Sequence, residues 1–176
     1  MTCIVAVSDG KRVVIGGDSA AVAGYNIRTA VEPKVAKIAG IVLGYTSSFR
    51  MGQVLSRRIK EPAGGWIDIV DQLPDECRRI FGEAGFKETK NGVDHGGTFL
   101  VGWRGRIFRV CDDFQMTEHP RFDACGCGED FALGWLVASY RDGKNLRALA
   151  RGALEASAQL CGGVRGPFHF VEIGER

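Results

Sequence analysis

Thr2 follows the initiator methionine. Methionine aminopeptidases tolerate threonine at that place, so the mature chain can begin with one residue that carries both a hydroxyl and a free α-amine. A threonine hydroxyl is a poor nucleophile until a base takes its proton, and an α-amine titrating near ~7.7–8 can be that base. Such a site needs a cation nearby to keep the amine neutral at working pH, and a carboxylate to hold the cation in place. Asp18 and Lys34 are the candidates. Taken alone, Asp18 reads more readily as a solvated turn residue and Lys34 as a surface lysine.

The elements around these residues decide whether they meet. Residues 3–7 and 13–15 are short continuous apolar runs, and Asp9-Gly10 between them is a strong two-residue hairpin signal. That loop puts Thr2 opposite Gly17, with Asp18 one step beyond, beside the chain terminus. Runs that are apolar on successive residues imply strands covered on both faces, and hence a sheet between two other layers. Residues 35–38, a turn at Ala39-Gly40 and residues 41–43 repeat the strand, turn, strand pattern and complete four candidate strands of a first sheet.

Helical periodicity runs over residues 51–59, ended by Pro62 and Gly64-Gly65, and again from Ile67 to Phe81, where Pro74 is expected to break or restart the helix. Residues 85–97 read as a loop. Residues 98–103 and 106–111 around Arg104-Gly105 form another hairpin, with residues 122–125 extending that second sheet. Residues 129–140 and 145–160 turn helical before a last strand at 168–173. Two strand groups, each accompanied by a helical pair, predict an α+β, four-layer αββα sandwich in one domain spanning 1–176.

Composition narrows the function classes. The chain has 176 residues, and 23 Lys+Arg against 21 Asp+Glu leave a net charge of +2, without the basic footprint of a nucleic-acid binder. No run is long enough to cross a bilayer and no secretory signal opens the sequence, so the expectation is a cytoplasmic protein with its six cysteines as reduced thiols. Cys125-Gly126-Cys127 invites a zinc reading, but His95, His119 and His169 show no paired spacing to complete four ligands, and no metal or cofactor is expected. Cys3 is set aside as a nucleophile because, as Thr2's neighbour, it points to the other sheet face.

The segments Thr2-Cys3-Ile4-Val5-Ala6-Val7, Val14-Ile15-Gly16-Gly17-Asp18 and Pro33-Lys34-Val35 resemble the signature segments of the proteasome β-subunit and HslV-like family of N-terminal-nucleophile threonine peptidases. In that family the N-terminal threonine, an aspartate and a lysine stand at the separations of Thr2, Asp18 and Lys34. The resemblance implies the N-terminal-nucleophile hydrolase sandwich and peptide-bond cleavage through an acyl-enzyme on Thr2. It also implies a homo-oligomeric double ring acting on unfolded polypeptides, with an AAA+ unfoldase as partner. No nucleotide-binding motif is present, so any ATP use belongs to that partner.

An oxyanion donor is expected in the turn 43–48, from the amide of Thr46 or of Ser47. The family's Gly-Ser-Gly turn reads Gly126-Cys127-Gly128 here, which places Cys127 in the supporting position with a thiol, a weaker hydrogen-bonding group than a hydroxyl. Its Asp-x-x-Ser motif reads Ala158-Gln159-Leu160-Cys161, without the aspartate. A weakened or inactive ring scaffold is therefore one alternative, and a small-molecule amidase of the same fold is another.

Overall fold

A computed structural model describes residues 1–38, 40–61 and 63–174, so the expected turn at Ala39 and the helix stop at Pro62 lie outside the described residues. Strands β1 (Cys3–Ser8) and β2 (Arg12–Gly17) open the chain, followed by the hairpin β3 (Ala20–Ala23) and β4 (Asn26–Thr29). Next come β5 (Val35–Ile38), β6 (Ile41–Tyr45), helix α1 (Phe49–Arg58) and helix α2 (Trp66–Glu83). A small ribbon, β7 (Glu88–Lys90) and β8 (Val93–His95), leads to the meander β9 (Phe99–Trp103), β10 (Arg106–Val110) and β11 (Met116–His119). β12 (Phe122–Gly126), α3 (Glu129–Ser139), α4 (Leu146–Leu160) and β13 (His169–Gly174) complete it.

The two main sheets have the strand orders β12-β1-β2-β13 and β11-β10-β9-β6-β5. Every residue of β1 is buried, because its two faces enter different apolar layers. Ile4 and Ala6, with Val13 and Ile15, meet Val42, Leu100 and Ile107 of the other sheet. Cys3, Val5 and Val7 face Leu136, Leu149 and Leu154 of α3 and α4. On the far side, Leu43, Val101 and Phe108 pack against Met51, Leu55, Leu73 and Phe81 of α1 and α2. Burial of each such side chain stabilises by about 1.5–3 kcal/mol. The fold is thus an α+β sandwich with layers in the order α, β, β, α. No helix among the described residues is long and apolar enough to cross a membrane.

Several local expectations are corrected. The first hairpin turns on Gly10-Lys11 rather than Asp9-Gly10: the Asp9 carboxylate accepts the Lys11 and Arg12 amides at 3.0 and 2.7 Å, and Asp9 N–H donates to Arg12 O. Gly10 supplies the positive φ of +86° that the first central position of a II′ turn requires. Ile4 therefore pairs with Gly17, and Asp18 faces Cys3 instead of lying past the partner of Thr2.

β5 and β6 belong to the second sheet, since β6 pairs with β9 from Ile41↔Trp103 to Tyr45↔Phe99. Conversely, β12 joins the first sheet along β1. β6 is buried on both faces and would satisfy either sheet equally well, while β5 and β12 mix buried with part-exposed residues, so no local pattern chooses. Helix α2 runs through Pro74 without interruption, held by Ile69, Leu73, Cys77, Ile80 and Phe81 on one buried face. Packing there outweighs one missing backbone donor. The polar stretch 85–97 contains the ribbon β7–β8, and β3, β4 and β11 add strands the sequence reading lacks.

Candidate active site

Asp18 leaves the end of β2 and turns back on β1. Its carboxylate has no solvent contact and accepts four donors: Cys3 N–H at 3.0 Å, Lys34 Nζ at 2.8 Å, Ala20 N–H at 2.8 Å and Arg165 N–H at 3.4 Å. Lys34 stands just ahead of β5 and is only 2% exposed. Its ammonium also lies 5.8 Å from the centre of the Phe49 ring, within cation–π range. Its carbonyl accepts Tyr45 N–H, and Tyr45 Oη donates to Pro33 O, so β6 fixes the backbone that presents the ammonium. Neither residue is the solvated side chain that its type alone suggests.

One oxygen, Asp18 Oδ1, thus holds both the Lys34 ammonium and the amide of the residue after Thr2. Thr2 itself is 6% exposed, and its Oγ1 donates to Met1 O at 2.5 Å. Thr2, Lys34 and Ser47 line one cavity of about 300 Å³, with Ala20, Val22 and Phe49 as its apolar wall.

The turn after β6 separates the two oxyanion candidates. Thr46 N–H and Oγ1 both donate to Thr98 O, at 3.2 and 2.7 Å, so that amide is committed to the neighbouring strand. Ser47 adopts φ +60° and its N–H has no partner among the described residues. Ser48 caps α1 by accepting Arg50 N–H.

Cys127 lies against Thr2. Thr2 N–H donates to Cys127 Sγ at 3.3 Å, and the thiol donates back to Thr2 O at 3.4 Å. Gly126 makes this approach possible: its φ is +102°, and a Cβ there would sit 2.2 Å from Thr2 O. Partial burial of the sulfur holds the Cys127 thiol above its ordinary range, although the Thr2 N–H bond pulls the other way. Cys3 faces the helical layer, where burial pushes its thiol up to about 12 despite its bond to Ser157 Oγ. Cys125 is buried between the sheets.

Three contacts at the site were not legible locally. Ser157 on α4 donates to Gly128 O at 2.9 Å and braces the turn that carries Cys127. Arg165 supplies a backbone donor to Asp18, and Cys161 meets Cys127. All three depend on where α4 docks, which no residue spacing encodes. No group of three or more His, Cys, Asp or Glu among the described residues could hold a metal ion.

No protein-family model matches the sequence, and no curated protein matches it. Solved structures do. The chain is similar to Thiobacillus denitrificans BPH, with a TM-score of 0.85 at 19% identity over 99% of this chain and 98% of that one. It is similar also to HslV from Trypanosoma brucei, with a TM-score of 0.71 at 16% identity over 98% and 99% of the two chains. The fold is HslV-like. A mutant of Anbu from Hyphomicrobium sp. strain MC1 superimposes with a TM-score of 0.69 at 16% identity, covering 99% of this chain and 82% of that one. The likeness to BPH and to HslV runs over nearly the whole of both chains, so the fold as a whole is shared with them.

Proposed function

We propose that this chain, after loss of Met1, is a threonine-type endopeptidase subunit of a self-compartmentalised ring. The observation that carries the reading is Asp18 Oδ1, which ties a buried ammonium to the amide next to Thr2 beneath a cavity that Thr2 lines. A buried charge pair is an expensive arrangement, and a surface ion pair would stabilise the fold as well without it.

In this mechanism the freed Thr2 amine takes the proton from Oγ1 as Oγ1 attacks the scissile carbonyl carbon. The tetrahedral oxyanion lies at the Ser47 amide, and the Lys34 ammonium stabilises negative charge as it develops. The amine returns the proton to the leaving amine, giving an ester on Thr2. Water, deprotonated by the same amine, then releases the acyl product and restores the hydroxyl. Asp18 orients Lys34, and Cys127 holds the amine through its sulfur.

A ring with its sites facing inward restricts such a peptidase to threaded, unfolded chains. In this reading an AAA+ unfoldase is the partner that threads substrates, and the particle works in the cytoplasm. An inactive or weak ring scaffold is the second reading, favoured by the thiol at Cys127 and by Ala158, which offers no carboxylate.

One of the similar structures is BPH in complex with epoxomicin, which supplies a probe. The assembled particle is incubated with epoxomicin or a threonine-reactive β-lactone and mapped by mass spectrometry. An adduct on an N-terminal Thr2, with hydrolysis of an unfolded protein that is abolished in Thr2→Ala, supports the reading. Met1 retained on the assembled particle, or unchanged turnover in Thr2→Ala, would falsify it.

A further inference from the structure

Six cysteines in one chain differ sharply in their surroundings. Cys3, Cys77 and Cys125 are buried, whereas Cys127 is exposed and Cys161 half-buried. Cys161 ends α4, where its N–H donates to Ser157 O, and it lines a surface cavity of about 380 Å³. Cys127 occupies the turn between β12 and α3. The two thiols come from segments 34 residues apart, and Cys161 Sγ lies 3.5 Å from Cys127 Sγ, with a second contact of 3.4 Å to Cys127 O.

We propose that Cys127 and Cys161 form a reversible disulfide that gates the Thr2 centre. A disulfide needs its sulfurs at ~2.05 Å, so closure asks for a movement of roughly 1.5 Å, within reach of two side-chain rotations at a turn and a helix end. Cytosolic disulfides are typically transient and redox-sensing rather than structural, which suits an exposed pair of this kind.

With a hydroperoxide as oxidant the chemistry balances. One thiolate of the pair attacks a peroxide oxygen and breaks the O–O bond, giving a sulfenic acid and hydroxide. The other thiolate then attacks that sulfur and expels a second hydroxide. Two thiols and one hydrogen peroxide become one disulfide and two waters, and a dithiol reductant reverses the step by exchange.

The consequence reaches Thr2 directly. Reduced Cys127 both accepts from Thr2 N–H and donates to Thr2 O. The oxidised sulfur has no proton to donate and is drawn toward Cys161, so Thr2 loses both contacts. Met1 also bears on access: a Cβ on Gly163 would meet Met1 Sδ and Cys127 Sγ at 2.8 Å each, so the Met1 side chain lies beside the sulfur it would uncover on removal. The disulfide is independent of the peptidase reading, and its effect on turnover rests on that reading.

The test oxidises the assembled full chain with hydrogen peroxide and maps tryptic peptides without reduction. The expected product links peptides 122–141 and 152–165, is released by dithiothreitol, and is missing from both Cys127→Ser and Cys161→Ser. The first variant is needed because Cys125 shares a peptide with Cys127. Turnover of an unfolded protein is expected to fall roughly fivefold on oxidation, the size of one lost hydrogen bond between neutral groups. It recovers with dithiothreitol, and in either serine variant the oxidised-to-reduced ratio returns to about one. Oxidation of Cys127 to sulfinate with no link to Cys161 overturns the proposal. A complete link with unchanged turnover overturns the gate. Should the particle hydrolyse nothing in either state, the gate falls with the peptidase reading, while the disulfide stands or falls on the peptide map.

Discussion

Asp18 carries its charge out of contact with water, compensated by Lys34 and three backbone amides. Lys34→Met removes the cation bonded to it and leaves the carboxylate in an apolar setting, so urea unfolding should show a loss of about 3–5 kcal/mol. Adding Asp18→Asn to that variant should recover part of the loss, and a loss in the double variant equal to the sum of the two single losses would mean that the pair is not coupled. A smaller change acts on the threonine itself. Gly126→Ala forces a Cβ to within 2.2 Å of Thr2 O at a φ of +102°, so the turn must shift and carry Cys127 from Thr2 N. Epoxomicin labelling at Thr2 should slow by tenfold or more in that variant while circular dichroism keeps its native shape. If Thr2 acts as its own base, turnover should rise with pH through the amine's titration, which a nearby ammonium draws below its ordinary ~7.7–8, and fall on the acid side of it.

At the level of elements, the first hairpin and helix α2 offer contrasting tests. Asp9 is partly desolvated, which by itself pushes its carboxyl pKa up, but the Arg12 and Lys11 amides and the Arg12 guanidinium outweigh that and hold its carboxyl below the usual range. A carboxylate lowered in the folded state adds stability above the unfolded value of about 3.9, and that contribution disappears as pH falls through the folded value. Asp9→Ala should therefore cost about 1 kcal/mol at pH 7, the size of one or two exposed hydrogen bonds, with the gap to wild type closing below about pH 4. Thermal unfolding of both proteins across pH measures this. Pro74 deprives α2 of one internal hydrogen bond. Pro74→Ala should raise stability by about 1–2 kcal/mol, the helix gain offset by a more flexible unfolded chain, and a higher urea midpoint would register it.

For the whole molecule, the HslV-like sandwich and the proposed inward-facing site together predict assembly. Sedimentation velocity should find a ring-sized particle, and Thr2→Ala should sediment identically, because its hydroxyl contributes to chemistry rather than to packing. A monomer that still hydrolyses unfolded protein would contradict compartmentalisation. Hydrolysis dependent on an added ATPase ring would place the unfolding step in a partner.

Much of this architecture was written locally. Continuous apolar runs in β1 and β2 announced strands covered on both faces, and the helical pairs announced the outer layers, because burial on one or two faces leaves a periodic trace along the chain. Thr2, Asp18 and Lys34 became candidates through the resemblance of their segments to a known family, since Asp18 and Lys34 taken alone read as surface residues. Which sheet received β5, β6 and β12 was decided only in three dimensions, since a strand buried on both faces such as β6 satisfies either sheet and the mixed patterns of β5 and β12 name no neighbour. The one-residue shift of the first turn, the burial of Asp18 with Lys34, and the meeting of Cys127 with Cys161 were likewise tertiary outcomes. Each depends on backbone amides and side chains that distant segments bring together, and a distance between such segments has no periodic trace in sequence.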